Sequence, residues 1–197
     1  ECRKTANMTY EIMADKGTVR ILEKLQKTKV VGLMSQMLFK EANTRYALQA
    51  WNPHQDNIYV KNSSSLNNGF TTQYLTTNFF LDSANKDNGT LYVYPGSHKF
   101  GLYEAEPNIS YREKDDANPG NKILEKYLIK FNKVDCIFDK GDLLILNGNL
   151  IHGSYPNKSN KSRPLLSVSY ISQGESFISG NNARREVRTL SGVLDDK

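Results

Sequence analysis

Apolar residues recur along this chain in two different registers, and the change comes near Arg45. Upstream, Val19, Leu22 and Leu25, then Val30, Val31, Leu33, Met34, Met37 and Leu38, fall largely at three- and four-residue intervals, the spacing that gathers side chains on one helix face. Gly32 interrupts the second run. The pattern predicts one or two amphipathic helices on the outside of whatever follows, with their methionines as adaptable core filler. Downstream the grammar is that of strands. Tyr46 to Trp51 is a short run that Pro53 should end, since proline cannot donate to a ladder. Thr72 to Leu81 is rich in β-branched and aromatic residues. Alternation sorts it into Tyr74, Thr76, Asn78 and Phe80 on one side, and Leu75, Thr77, Phe79 and Leu81 on the other.

Asn85 to Gly89 reads as a turn, Thr90 to Tyr94 as a strand, and Pro95-Gly96-Ser97-His98 as the next turn. Two polar stretches, Lys61 to Gly69 and Glu104 to Asn121, are candidate lid loops. A short helix is expected at Ile123 to Leu128. Val134 to Phe138 and Leu143 to Leu146, joined through Asp139-Lys140-Gly141-Asp142, read as a hairpin. Pro164 to Ile171 is apolar on both faces and so a central strand. The tail from Gly174, with its Arg184-Arg185-Glu186-Val187-Arg188 cluster, shows no pattern. Many short strands behind a helical prefix predict a mainly β fold with outer helices, a two-sheet jelly roll or barrel.

At 197 residues one domain is expected over 1–197: a helical prefix at 1–42, a jelly-roll core at 43–173 and a tail at 174–197. With 38% hydrophobic and 24% charged residues the chain reads as globular, and no apolar run approaches the roughly 20 residues of a membrane span. The chain opens Glu1-Cys2-Arg3-Lys4, with no initiator methionine, and an upstream targeting segment stays open. Cys2 and Cys136 cannot build a disulfide framework, which favours a reducing, cytoplasmic setting. The net charge of +5 is scattered rather than clustered, and no nucleic-acid motif accompanies it. It leans slightly towards an anionic small-molecule partner.

The chemistry enters at Trp51-Asn52-Pro53-His54-Gln55-Asp56. On an extended backbone residues i and i+2 project to one side, so an imidazole at 54 and a carboxylate at 56 can face one point. His152, in Ile151-His152-Gly153-Ser154, completes a two-histidine-one-carboxylate set, which holds three positions of an octahedral iron(II) and leaves three open. Arg163 adds a permanently charged fork suited to a carboxylate. His98, the third histidine, follows a turn and is expected to be structural. A zinc hydrolase could use the same three ligands but has no need of Arg163, and no His-Glu-x-x-His helix is present. A binding-only jelly roll would not need an intact metal triad.

Pro53-His54-Gln55-Asp56, the run Asn88 to Lys99, Lys140-Gly141-Asp142, Ile151-His152-Gly153-Ser154 and Arg163 occur in an order and spacing that resemble the phytanoyl-CoA dioxygenase family of iron(II)/2-oxoglutarate oxygenases, over about residues 46 to 171. The resemblance implies a double-stranded β-helix with iron(II) held by His54, Asp56 and His152. It also implies the distal carboxylate of 2-oxoglutarate on Arg163 and Ser154, Asn78 beside the co-substrate, Gln55 touching co-substrate or substrate, and Tyr59 lining the substrate pocket. Asn78 departs from the aromatic residue frequent at that position. The implied reaction consumes O2 and 2-oxoglutarate, releases succinate and CO2, and oxidises a small molecule. Halogenating relatives replace the carboxylate ligand; since Asp56 is present, hydroxylation is the default, with desaturation, cyclisation or epimerisation as alternatives.

Overall fold

The computed structural model describes residues 7–60, 74–103, 112–113, 126–179 and 184–190. Two helices open it, α1 (Asn7–Met13) and α2 (Lys16–Gln26). Asp15 caps α2, its carboxylate accepting from the Thr18 amide at 2.7 Å and satisfying an amide that has no intrahelical partner. Lys27, at φ 58°, ends the helix in the left-handed conformation. Val19 and Leu22 are fully buried, in one cluster with Leu75, Leu166, Val168 and Tyr170, so these two positions of the predicted apolar stripe cover the outer face of a sheet, whereas Leu25, expected on the same stripe, is 59% exposed.

The second apolar run is a correction. Val30 to Leu38, expected to be helical, lies in a strand, β1 (Val30–Lys40), paired antiparallel with β9 (Arg163–Ser172) from Val30↔Ser172 to Lys40↔Arg163. Val30 and Val31 are β-branched, and Gly32 sits at a register shift in the ladder. A Cβ at Gly32 would stand 2.2 Å from the Met13 sulfur of α1. Gly32 therefore lets α1 pack directly on the strand, and the three-and-four spacing around it is incidental to a short run apolar on both faces.

Two antiparallel sheets follow. The first has the order β1-β9-β3-β7, with β3 (Tyr74–Phe80) and β7 (Leu143–Asn147). The second runs β5-β2-β8-β4-β6, with β2 (Ala50–His54), β4 (Leu91–Val93), β5 (Arg112–Glu113), β6 (Val134–Asp135) and β8 (His152–Ser154). Strand β9 is central, as expected, with β1 and β3 on its two sides. Val134 to Leu146 is not a hairpin: β6 pairs with β4 in one sheet and β7 with β3 in the other. The turn at 139–142 instead carries the chain between sheets, with Gly141 at φ 97°. Phe80, Leu146 and Leu165 of the first sheet meet Leu91 of the second in one buried cluster.

Residues 61–73, most of the 104–121 loop and 123–125 of the expected short helix lie outside the described residues; 126–128 are helical. The patternless tail has a place. Gly32 and Arg188 exchange both backbone hydrogen bonds, and the Glu186 amide donates to the Leu33 carbonyl, so residues 186–188 run along the free edge of β1. Among the described residues no helix is long and apolar enough to cross a membrane.

Candidate metal centre

Pro53 places the first ligand. Trp51 pairs with Ser154 and His54 with His152, three steps on β2 against two on β8, so β2 carries one extra residue where Pro53 cannot donate. Such a bulge bends a strand and re-aims its end. It sets the two imidazoles opposite one another, with ring centroids 4.4 Å apart. Gly153 lets β2 and β8 come this close, since a Cβ there would lie 2.4 Å from the Tyr92 hydroxyl and 2.6 Å from the Trp51 carbonyl oxygen.

Asp56 opens a short 3-10 helix (Asp56–Tyr59). The Asn57 amide donates to the Gly148 carbonyl at 2.9 Å, and the Asn57 side chain donates to Asn149 Oδ1 at 2.8 Å. The carboxylate is thereby pinned to the turn that leads into His152. His54 Nε2 lies 3.7 Å from Asp56 Oδ1 and His152 Nε2 lies 3.9 Å from Oδ2, and the three ligand atoms fall within 4.8 Å of one another.

Each ring is oriented from behind. His54 Nδ1 faces the Asn52 carbonyl at 2.7 Å, and His152 Nδ1 faces that of Leu150 at 3.0 Å. A carbonyl only accepts, so each Nδ1 carries the proton and each Nε2 presents a lone pair. Burial, reinforced by the neighbouring His152, pulls the His54 pKa down to about 4. Burial works against the Asp56 charge, but the two imidazoles and the Thr76 hydroxyl, which donates to Oδ2 at 2.6 Å, outweigh it and hold the pKa below the ordinary carboxylate value. Two imidazoles and one carboxylate on one face form a donor set for a divalent metal with open positions.

The cavity in front of this cluster opens to solvent, and both sheets line it. Arg163, only 1% exposed, lines it too. Its Nε donates to the Gly89 carbonyl at 3.2 Å and Nη1 to that of Leu38 at 3.5 Å. Burial brings its pKa down to about 10, and among the described residues no carboxylate is within ion-pair distance. A buried charge without a counter-charge calls for an anionic ligand. Asn78, buried on the same wall, has an amide nitrogen with no hydrogen-bond partner. Ser154 Oγ accepts from Lys40 Nζ at 2.8 Å, which leaves its own O–H able to donate into the cavity.

Seven of the residues singled out in the sequence therefore line one cavity: His54, Asp56, Tyr59, Asn78, His152, Ser154 and Arg163. Gln55 is placed elsewhere. Its amide donates to the Gly101 carbonyl at 2.9 Å and the Asn149 carbonyl at 2.5 Å and accepts from the Tyr103 amide at 2.8 Å, so it ties loops behind the cluster. His98, in a separate 3-10 helix (Ser97–Phe100), is not part of the metal-ligand group. Lys40 and Arg185 escaped sequence reasoning. Lys40 shares the alternation of Met34, Gln36 and Leu38, which is visible only once β1 is known to be a strand. Arg185 comes from the tail. It is 7% exposed, its Nε donates to the Tyr74 hydroxyl at 3.1 Å, and its guanidinium lies 3.5 Å over the Tyr59 ring.

Two facing sheets with two histidines and a carboxylate converging between them define a jelly-roll, double-stranded β-helix protein with a metal-ligand mouth. The family model described as Phytanoyl-CoA dioxygenase (PhyH) matches residues 3–165, and the chain belongs to that family. Phytanoyl-CoA dioxygenase 1 of Oryza sativa subsp. japonica is 32% identical over 121 residues, and phytanoyl-CoA dioxygenase of Arabidopsis thaliana 29% over 132; each match takes in 60% of this chain and 38% of the relative. The chain thus spans well under half the length of these curated relatives. Among solved structures, the epimerase SnoN in complex with Fe3+, alpha ketoglutarate and nogalamycin RO superposes with a TM-score of 0.66 at 17% identity, covering 97% of this chain and 73% of that one. EctD from S. alaskensis with 2-oxoglutarate and 5-hydroxyectoine gives 0.66 at 18%, covering 90% and 57%. At these identities the likeness establishes the fold.

Proposed function

We propose that this chain carries the reaction centre of an iron(II)/2-oxoglutarate-dependent dioxygenase that hydroxylates an unactivated C–H bond of a small molecule. One atom of O2 enters the substrate as C–OH; the other enters 2-oxoglutarate, which loses CO2 and leaves as succinate. The observation that carries this reading is the coincidence, in one cavity, of the triad with a buried guanidinium that has no carboxylate partner among the described residues. A zinc hydrolase explains the first and leaves the second unaccounted for.

The residues fit both an iron(II) ion and a 2-oxo acid. His54, Asp56 and His152 would hold the metal facially, with Thr76 and the carbonyls of Asn52 and Leu150 fixing the ligands' orientation. Arg163 would take the distal carboxylate of the co-substrate, assisted by Ser154, whose oxygen Lys40 occupies from behind, and by the free amide of Asn78. Gln55 would act indirectly, by holding the loops that carry Asn149 and Gly101. Tyr59 would line the substrate's side. Bound iron and 2-oxo acid supply the oxidising chemistry; the chain supplies orientation and shielding from water. The free thiol of Cys136 and an iron(II) centre both suit a reducing compartment.

Anaerobic titration with iron(II) and 2-oxoglutarate tests the assignment. A weak visible charge-transfer band, saturating at one equivalent of each, is expected. Its absence, with the metal shown to be bound, would overturn the reading.

A further inference from the structure

The cavity holds two buried guanidiniums, and the strand register says how they are arranged. The inward residues of β9 and β3 form four rungs: Leu165↔Phe80, Ser167↔Asn78, Ser169↔Thr76 and Ile171↔Tyr74. Arg163 lies just before the first rung. Arg185 is hydrogen-bonded to Tyr74, on the last. Eight residue steps along the strand, roughly 26 Å of backbone, separate positions 163 and 171. Asp56 is anchored by Thr76, on the third rung. The metal-ligand cluster therefore lies between the two cations, nearer to Arg185.

One cation is accounted for by the proposed function, on which this inference rests: a 2-oxo acid reaching from the metal to Arg163 fills the first half of the trough. The prime substrate must approach from the other half, and there the described charge is Arg185. That side chain is held rather than loose. Tyr59 supports its face, Tyr74 fixes Nε, and its own backbone amide donates to the Ser179 carbonyl at 2.7 Å. Among the described residues no carboxylate is within ion-pair distance of it, and the carboxylate that acts on it through space is that of Asp56, which the metal would occupy. A guanidinium buried, braced on one face and turned into a cavity is arranged to take two oxygens of an oxyacid side by side.

We propose that Arg185 anchors a carboxylate or phosphate group of the prime substrate, so that this enzyme oxidises a small organic anion held between Arg185 and the metal. The anchor fixes one end of the molecule, and the oxidised carbon is the one its length brings to the triad.

The test uses the full chain loaded anaerobically with iron(II) and saturating 2-oxoglutarate, whose band reports on the co-substrate independently. Small aliphatic and aromatic carboxylates are titrated beside their primary amides, and phenyl phosphate beside phenol, following the shift of the band and of the melting temperature. The wild-type chain should bind the anionic member of at least one pair about tenfold or more tightly than the neutral one. Arg185→Gln should erase that preference while 2-oxoglutarate affinity stays within about threefold. Should the Gln variant fail to melt cooperatively, Arg185→Lys decides: charge without the braced fork should lower the preference at least about threefold. No anion preference in the wild-type chain, a preference that survives in the variants, or anions that bleach the band and are relieved by added 2-oxoglutarate would each overturn the proposal. So would a loss of 2-oxoglutarate affinity in Arg185→Gln. A chain that never shows the band fails the oxygenase reading itself, an outcome distinct from all of these.

Discussion

Replacing Arg163 with methionine should move binding and stability in opposite directions. In the metal-free chain the guanidinium is buried without a counter-charge, and its pKa falls from 12.5 to about 10. At about 1.4 kcal/mol per unit, keeping it charged near neutral pH costs folding roughly 3 kcal/mol. Methionine removes that cost but orphans the Gly89 and Leu38 carbonyls, at about 1 kcal/mol each. A net gain of about 1 kcal/mol remains, worth ~2–4 °C of melting temperature in a domain of this size. The ligand tells the reverse story. Two charge-assisted hydrogen bonds to a carboxylate contribute about 1.5–3 kcal/mol each, so 2-oxoglutarate affinity should fall roughly 10²- to 10⁴-fold, towards the lower end because Lys40 and Ser154 remain. Calorimetric melting of the metal-free proteins and anaerobic 2-oxoglutarate titration of the iron-loaded ones read the two effects separately. An unchanged 2-oxoglutarate dissociation constant, or a metal-free variant melting well below the parent, would refute the reasoning.

Thr76→Val keeps the shape of the wall but deletes the 2.6 Å hydrogen bond to Asp56; metal affinity should drop about 10- to 100-fold, measured by iron(II) or manganese(II) titration, with folding little changed. Gly153→Ala would force a methyl to within 2.6 Å of the Trp51 carbonyl. Spreading β2 from β8 should cost about 1–3 kcal/mol or more and part the two imidazoles, seen as a lowered melting temperature together with weakened metal binding; a variant with parental melting and metal affinity would contradict the close approach described.

The sequence was most legible where function and strand geometry coincide. His54 and Asp56 stand out because two metal-binding residue types share one face, and Arg163 because a conformationally simple, doubly apolar strand begins at it. The two faces of β3 came out as its alternation suggests, with Leu75 and Phe79 under the helices and Tyr74, Thr76 and Asn78 in the cavity. The errors have physical causes. Residues 30–34 are apolar on both faces because that end of β1 is largely buried on both, while Met37 further along is exposed, and such a run carries no period that separates helix from strand. The 139–142 turn has hairpin chemistry, but which sheet its flanks join is decided by long-range pairing with β3 and β4, which no local signal encodes. The same limit hid Lys40, whose facing follows from the missed strand. It hid Arg185 too, because three arginines within five residues look like solvated charge until a backbone ladder at Gly32 shows which one is carried inside.

That ladder has an evolutionary consequence. Arg185 is delivered by a stretch that grips the rim of the barrel through three backbone hydrogen bonds to Gly32 and Leu33, whereas the triad is built into strands and the turns joining them. Phe177 and Ile178 pair with Val60 and Tyr59 at the end of the 3-10 helix that Asp56 opens, and Leu190 belongs to the core, so the tail is not exchangeable as a whole; substitution at position 185 alone would change which molecules are admitted and leave the ladder in place. A scaffold divided in this way can diversify its diet while conserving its appetite for oxygen.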